Sequence, residues 1–378
     1  MPHNTSKPDF LIIGGGLAGI TLADALSSGG AAVTVIDKNG IATGASGAPV
    51  GMADPAASRN ANLFWEPVNC YSTIKRILEE VRDYTHKTFY RETPVCRPAL
   101  SHERARAYQR SLERQDWPEG WCTWLSESEI HGKYQGINCV EGGLWHTTGL
   151  TVAIPDFLEA YLSMLRDRGI QYKTIPDYSL LRIGSAWNFK SDALTLSTKN
   201  VIHATGSASL KSTYWSDLPN EPVKGQLLQM KPEGDIPFDF ALSGNGYISW
   251  VHPDQLIVGS TYEHEFTHPE PDENGRKTIM RKFRQILPEI AIRVTLQHHW
   301  SAIRVSTPNR LPVIGAHHSE PGLHLFTGLG SKGLLYSRYT AQHLANNLLN
   351  GKQIRRELDI QRIYKKMDFS STFPGNKP

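Results

Sequence analysis

Three glycines stand at Gly14, Gly16 and Gly19, directly after the apolar run Phe10-Leu-Ile-Ile and directly before a helix-patterned stretch. That spacing is suited to holding the pyrophosphate of a dinucleotide. Gly14 permits a tight turn, Gly16 lets the backbone come close to phosphate oxygens, and Gly19 lets the helix lie close to the strand. Leu17 and Ala18 open the helix, so their N–H groups and the positive end of the helix dipole face the same point. A second apolar run, Val33-Thr-Val-Ile, ends on Asp37-Lys38, about 20 residues further on. Asp37 is placed to accept hydrogen bonds from a ribose hydroxyl.

A second cluster, Gly328-Leu-Gly330-Ser331-Lys332-Gly333-Leu334, repeats the glycine spacing after a strand and before a helix. No strand ending in an acidic residue follows it, so it does not read as a second dinucleotide site. It reads as a helix start aimed at one bound ligand. Were that ligand a flavin, the dipole and Lys332 would favour the negatively charged reduced ring.

The elements that must carry these residues are partly visible in the pattern. The unit over 9–37 reads as strand, helix and parallel strand, with Ala23 and Leu26 toward the sheet and Gly29-Gly30 ending the helix. The small-residue stretch 40–52, which includes Ala45, Ser46, Gly51 and Met52, suits a loop passing close to a ligand. Helices are predicted over about 60–82, 101–115, 155–168, 275–287 and 331–350, the third entered by Pro155 and closed by Gly169. Strands are predicted at 170–174, 200–206, 223–229, 247–250, 256–261, 294–304 and 323–327.

The order implies a mixed α/β fold: a Rossmann-like nucleotide domain interrupted twice by a mostly antiparallel substrate domain. The expected division is 1–75, 145–212 and 300–378 for the former, 76–144 and 213–299 for the latter. At 378 residues two domains are expected. With 39% hydrophobic and 20% charged residues the composition is that of an ordinary soluble globular chain. A net charge of +3 does not point to nucleic acid as a partner, though local basic faces exist at Arg276–Arg284, Arg355-Arg356 and Lys365-Lys366. The cysteines Cys70, Cys96, Cys122 and Cys139 lie far apart and read as reduced structural thiols. No metal site is expected, because the histidines carry no ligand spacing. No signal peptide or spanning segment is expected, which implies a cytoplasmic protein without membrane contact. The tail from Ser370 is expected to fray.

Taken together, the landmarks resemble the flavoprotein family of D-amino acid oxidase, glycine oxidase and sarcosine oxidase, and the resemblance covers the whole chain. The Gly14–Gly19 unit with Asp37 is similar to that family's FAD fingerprint. Gly44-Ala45-Ser46-Gly47 with Gly51 resembles its flavin-proximal loop, and Ala204-Thr205-Gly206 its second adenine-side turn. Val223-Lys-Gly225-Gln226 and Gly259-Ser-Thr261-Tyr-Glu263 resemble its substrate-domain strands. Arg304 through Gly315 and the Gly328–Leu334 cluster resemble its closing segment, with Asn309 where the family pattern has Asp. The glycine cluster and loop look most like the branch that supplies the oxidoreductase half of bifunctional tRNA wobble-uridine-modifying proteins. The methyltransferase half of those proteins has no counterpart here.

The resemblance implies FAD, held non-covalently since no cysteine follows Cys139. It implies oxidation of a C–N bond by hydride transfer from a small carboxylate-bearing amine, with Arg304 binding the carboxylate and Tyr247 at the active site. Thr261 and Met52 are weaker candidates for pocket lining. Glu66, Glu141 and Glu263 lack paired-carboxylate spacing and are left aside. Two other readings stay open: a tRNA-modifying enzyme removing a carboxymethyl group from a wobble uridine, and a non-catalytic flavin-binding subunit. The pattern leaves the oligomeric state open.

Overall fold

The computed structural model describes residues 7–371; the polar tail beyond 371, expected to fray, lies outside the described residues. The fold is mixed α/β. The chain divides into two compact units. The first takes the chain through Gly47, Leu158–Pro222 and everything from Arg304 onward. The second takes Ala48–Phe157 and Val223–Ile303. The first break falls at 47, where the expected division put it near 75. The helix Pro67–Thr85 and the short strands before it lie in the second unit.

In the first unit a six-stranded sheet runs in the order Gln171–Thr174, Val33–Asp37, Phe10–Ile13, Asn200–His203, Leu323–Thr327, Val313–Ala316. The first five are parallel and the last is antiparallel. Parallel strands are covered on both faces and therefore read as continuous apolar runs; Phe10–Ile13 is buried at all four positions. Leu11, Ile13, Ile36, Val201, Leu323 and Leu325 form one core with Trp187 and Phe189 of a three-stranded meander.

The first helix, Leu17–Ser28, buries Leu22, Ala23 and Leu26 completely. It packs on the long helix Gly333–Asn350, which ends on Gly351 in the left-handed region. Between them lies Asp24, 2% exposed. Its Oδ2 lies 2.6 Å from Arg338 Nη2 and accepts from Tyr161 Oη at 2.7 Å. Arg338 Nη1 also donates to the Thr21 carbonyl at 3.1 Å. The two helices are thus joined by a buried, charged contact.

The second unit is built on an eight-stranded, mostly antiparallel sheet. Its order is Val294–Ser306, Glu221–Pro232, Leu256–Gly259, Tyr247–Ser249, Ala241–Ser243, Val95–Pro98, Gly142–His146, Cys122–Ser126. Helix Glu273–Ile286, capped by Asp272, buries Ile279, Phe283 and Ile286 against Leu228, Ile248 and Val258. A small sheet places Gly51–Ala53 beside Leu150–Val152, which in turn pairs with Tyr90–Glu92.

Several expectations need correction. The helix predicted over 60–82 starts only at Pro67, and Asn62–Leu63 is a short strand; Pro67 sets the first turn. The closing helix begins at Gly333 rather than 331, because Gly330 at φ +54° keeps the preceding turn out of helical geometry. Strand 200–206 stops at His203, after which a 3-10 turn begins. Among the described residues no helix is long and apolar enough to cross a membrane, and the four cysteines are free thiols. Burial pushes the Cys122 thiol up to about 12 and Cys139 to about 11, which keeps both protonated.

Two outcomes follow for stability. Arg338→Ala removes the closest cation from the buried Asp24 and should cost about 3–5 kcal/mol, read as a lower midpoint in urea unfolding. His203 and His324 sit on adjacent parallel strands, and burial holds both imidazoles down to about 4. Their folded pKa lies below the unfolded value, so the neutral rings contribute stability above about pH 6.5 that is lost as pH falls toward 4. Unfolding at pH 5 should therefore be easier than at pH 7 by about 1–2 kcal/mol per imidazole, and His324→Phe should flatten that slope.

Candidate functional site

Parallel sheets collect ligands outside the carboxyl ends of their strands, where strand order reverses direction. Here the chain leaves Phe10–Ile13 toward Val33–Asp37 on one side and returns as Asn200–His203 on the other. Three glycine turns sit at the ends of three neighbouring strands: Gly14, Gly206 and Gly328. Their φ angles are +124°, +54° and +77°, all in the region that glycine adopts freely. A Cβ on Gly14 would stand 2.2 Å from the Ala204 carbonyl oxygen, so this turn abuts the Thr205-Gly206 turn.

Gly16 caps the first helix in extended backbone with no side-chain cap. The Leu17 N–H is taken by Ser46 Oγ at 3.0 Å, which brings the 3-10 turn Ala45–Gly47 over the helix start. A Cβ on Gly16 would lie 2.9 Å from that hydroxyl. Ala18 is buried, and a Cβ on Gly19 would lie 1.9 Å from the Gly14 carbonyl. The glycines therefore leave a cradle that any side chain would fill.

The second helix start arrives at the same place. A Cβ on Gly333 would be 3.1 Å from Leu17 Cδ1. Lys332 occupies the cap position without a side-chain cap, Ser331 is exposed and Leu334 is buried. Neither helix has an acidic residue in its first turn. Two positive helix ends converge with no carboxylate in either first turn, an arrangement that fits an anionic dinucleotide. Burial, then Arg310, pushes the Lys332 ammonium down, and its Nζ lies 5.4 Å from the centre of the Tyr336 ring. Gly330 N–H donates to the Val305 carbonyl at 3.1 Å, so the glycine cluster is stitched to the end of the strand that carries Arg304. Arg304 is half-buried there.

Asp37 is more heavily engaged than its spacing implies. Its Oδ2 accepts from Gly15 N–H at 2.6 Å, and its Oδ1 from Asn39 and Gly40 N–H at 2.8 and 3.0 Å. With about four acceptor sites on a carboxylate, one remains for a ribose hydroxyl. Lys38 beside it is exposed. Sequence reasoning missed Tyr172. A Cβ on Gly15 would meet its hydroxyl at 2.9 Å, and burial, then Asp37, pushes that phenol up to about 12. Its position one strand beyond Asp37, after the helix, is the signal that would have found it. Asn309, where the family pattern has Asp, accepts from Arg362 Nη2 at 2.9 Å and donates to the Glu357 carbonyl at 3.1 Å. It holds the closing segment to the last part of the described chain.

The remaining candidates lie in the second unit. Gly51 and Met52 form the small strand Gly51–Ala53, Met52 opposite Thr151. Tyr247 donates its hydroxyl proton to the Val50 carbonyl at 2.7 Å. Thr261 is buried and its hydroxyl accepts from Gln226 N–H at 2.9 Å, a structural contact. Among the described residues no three His, Cys, Asp or Glu side chains group as a metal site.

The chain belongs to the family described as FAD dependent oxidoreductase, whose pattern it matches over residues 9–347. It is therefore an oxidoreductase with FAD as its cofactor, and the cradle at Gly14–Gly19 fits that group. Among known proteins it is similar to the bifunctional protein ThiO/ThiG of Nostoc sp., 26% identical over 91% of this chain and 53% of the relative. It is also similar to the tRNA 5-methylaminomethyl-2-thiouridine biosynthesis bifunctional protein MnmC of Marinobacter nauticus, 24% identical over 94% of this chain and 58% of the relative. The chain thus spans little more than half the length of these relatives. Its fold matches glycine oxidase from Geobacillus kaustophilus with a TM-score of 0.81 at 21% identity, covering 92% of this chain and 95% of that one. L-proline dehydrogenase from P. horikoshii matches with a TM-score of 0.80 at 17% identity, covering 95% and 98%.

Gly16→Val should abolish FAD retention while the protein stays folded, because the added methyls occupy the cradle beside Ser46. Absorbance of the purified protein near the flavin bands, set against its circular dichroism, reads the two separately. A variant that remains fully yellow would move the phosphate contact away from Gly16.

Proposed function

We propose that this chain oxidises the C–N bond of a small, carboxylate-bearing, glycine-like amine. The observation that carries the reading is the Gly330–Val305 hydrogen bond, which joins the strand bearing Arg304 to the second of the two converging helix starts. Bound FAD supplies the acceptor for a hydride from the carbon next to nitrogen. The chain supplies position and charge. The Arg304 guanidinium offers a planar, two-pronged match to a carboxylate. The Gly333–Asn350 helix start and Lys332 favour negative charge on whatever lies against them. Held in that way, a neutral amine meets its acceptor in a fixed alignment, the main contribution a protein makes to such a transfer. The amine loses a hydride and a nitrogen-bound proton, and the resulting imine takes up water to release the nitrogen compound and an oxo acid.

Non-covalent FAD accords with the absence of cysteine after Cys139. Reduced, protonated thiols and the lack of a spanning helix among the described residues accord with a cytoplasmic protein. A free glycine derivative is the preferred substrate. The second reading, a glycine-like group carried on a tRNA wobble uridine, is favoured by helix Glu273–Ile286, which exposes Arg276, Lys277, Arg281 and Arg284. The same carboxylate contact would serve there.

Anaerobic addition of glycine derivatives should bleach the flavin of the wild-type protein. Carboxymethylaminomethyl-bearing tRNA bleaching it in their place would favour the second reading, and no bleaching by either would sink both. Arg304→Ala should lower kcat/KM for the responsive substrate about 10²-fold with FAD content unchanged. Unaltered kinetics would remove Arg304 from the site.

A further inference from the structure

A cavity of about 590 Å³ opens within the second unit, where three pieces of chain meet. They are the start of helix His102–Arg114, the turn 244–246 between strands Ala241–Ser243 and Tyr247–Ser249, and Gln285 at the end of helix Glu273–Ile286. The volume is that of a small-molecule site, for which about 300–1,000 Å³ is usual. None of the glycines of the FAD cradle lines it.

Its lining is cationic. Arg59 and Arg104 both contribute, and among the described residues no acidic side chain does. Arg104 Nη1 donates to the Arg59 carbonyl at 3.1 Å and to Asn60 Oδ1 at 3.3 Å, which ties the loop bearing Arg59 to the helix. Its Nε and Nη2 donors take no part in those bonds. The neighbouring carboxylates do not answer this charge: Glu103 is exposed outside the cavity, and Glu141 is bonded to His102. Paired amides line another part. Asn245 Nδ2 donates to Gln285 Oε1 at 2.8 Å. That leaves the Asn245 carbonyl oxygen as an acceptor and the Gln285 NH2 as a donor, side by side. Such a pair complements the edge of a nucleobase.

A buried donor adds to this. The space that a Cβ on Gly244 would take is bounded by the Tyr108 hydroxyl at 3.0 Å and by Arg97 Nε at 3.8 Å. Tyr108 is 1% exposed and Arg97 4%. Arg97 Nη1 donates to the Ala56 carbonyl at 3.1 Å and lies 3.6 Å from Asp54 Oδ2. Asp54 in turn accepts from Ser243 Oγ at 2.7 Å and stands 3.0 Å from His146 Nδ1. This set fixes the guanidinium, yet Arg97 Nε has no partner among the described residues. A buried N–H without an acceptor is costly and calls for one from a ligand.

We propose that this cavity binds a free nucleoside monophosphate, its phosphate on Arg59 and Arg104 and its base on the Asn245–Gln285 amides. A guanidinium pair suits a phosphate. Inorganic phosphate alone would leave the amides unused, and an apolar acid would bury them unbonded.

The test uses the full chain saturated with FAD, so that the Gly14–Gly19 cradle is already filled. Equilibrium dialysis against AMP, GMP, CMP and UMP should show saturable binding of at least one, at one per chain, with Kd below about 1 mM. The matching nucleoside and inorganic phosphate should each bind about 10-fold more weakly or worse. Arg59→Ala should weaken the nucleotide about 10-fold, and Gln285→Ala should narrow the preference among the four bases. Arg106→Ala, exposed on the same helix outside the cavity, should leave Kd within about 2-fold. Should Arg59→Ala lose its circular dichroism, Arg59→Gln gives the same readout. The proposal is overturned if none of the four nucleotides binds saturably, or if inorganic phosphate binds as tightly as the best of them. Binding that both Arg59→Ala and Gln285→Ala leave unchanged overturns it too, as does capture of an RNA tetranucleotide with no free nucleotide bound.

Discussion

The ion pair between Asp24 and Arg338 draws two helix N-termini of like sign side by side. Each end carries about half a positive charge, so their juxtaposition is unfavourable unless something offsets it. Close packing of Leu17 on Gly333 and the buried Asp24 contact supply part of the compensation from within the seam. The rest is left for an anion at the open end. That is why the site carries no acidic residue in either first turn. The repulsion between the two like helix ends and their affinity for a pyrophosphate are two aspects of one arrangement.

The second unit solves a different problem. It holds a three-residue strand with small or flexible side chains, Gly51-Met52-Ala53, too short to hold itself in place. Ladder bonds to Leu150–Val152 fix one edge. Its ends are secured by polar groups, a phenol at Val50 and a hydroxyl at Asp54, drawn from one hairpin. Charged groups appear in this interior because directional contacts define a position more sharply than apolar packing does.

Legibility in the sequence followed the range of the forces involved. The strand-turn-helix at Phe10–Ser28 could be read because its determinants are local: apolar runs and glycines that admit a positive φ or a close approach. The helix at Gly333–Asn350 was legible for the same reason, apart from a first turn whose geometry Gly330 decides. Short strands of the second unit such as Val95–Pro98 and Gly142–His146 were not. Their residues include arginine, proline and paired glycines, and they become strands only through partners far along the chain. The meander Ser179–Thr198 escaped notice because its first strand leaves Leu181 and Ile183 exposed and so shows no burial alternation. At the site, the glycines and Asp37 were visible by spacing, but the three amides that occupy Asp37 were not. Asp54, Arg97, His146 and Ser243 are the extreme case, since Ser243 and Asp54 are separated by 189 positions. Such residues look like ordinary surface polars until the fold brings them together.

The seam between the first and the long helix also has a consequence in time. Arg338 bonds to Thr21 across 317 positions of chain. On a ribosome adding about 5–20 residues per second, Asp24 waits roughly 15–60 s after emerging before its guanidinium partner is made. In that interval the nascent first unit lacks the component that closes its ligand cradle. The other unit, enclosed between its segments, has all of its residues earlier. The two helix starts can therefore meet only once the helix Gly333–Asn350 has been made.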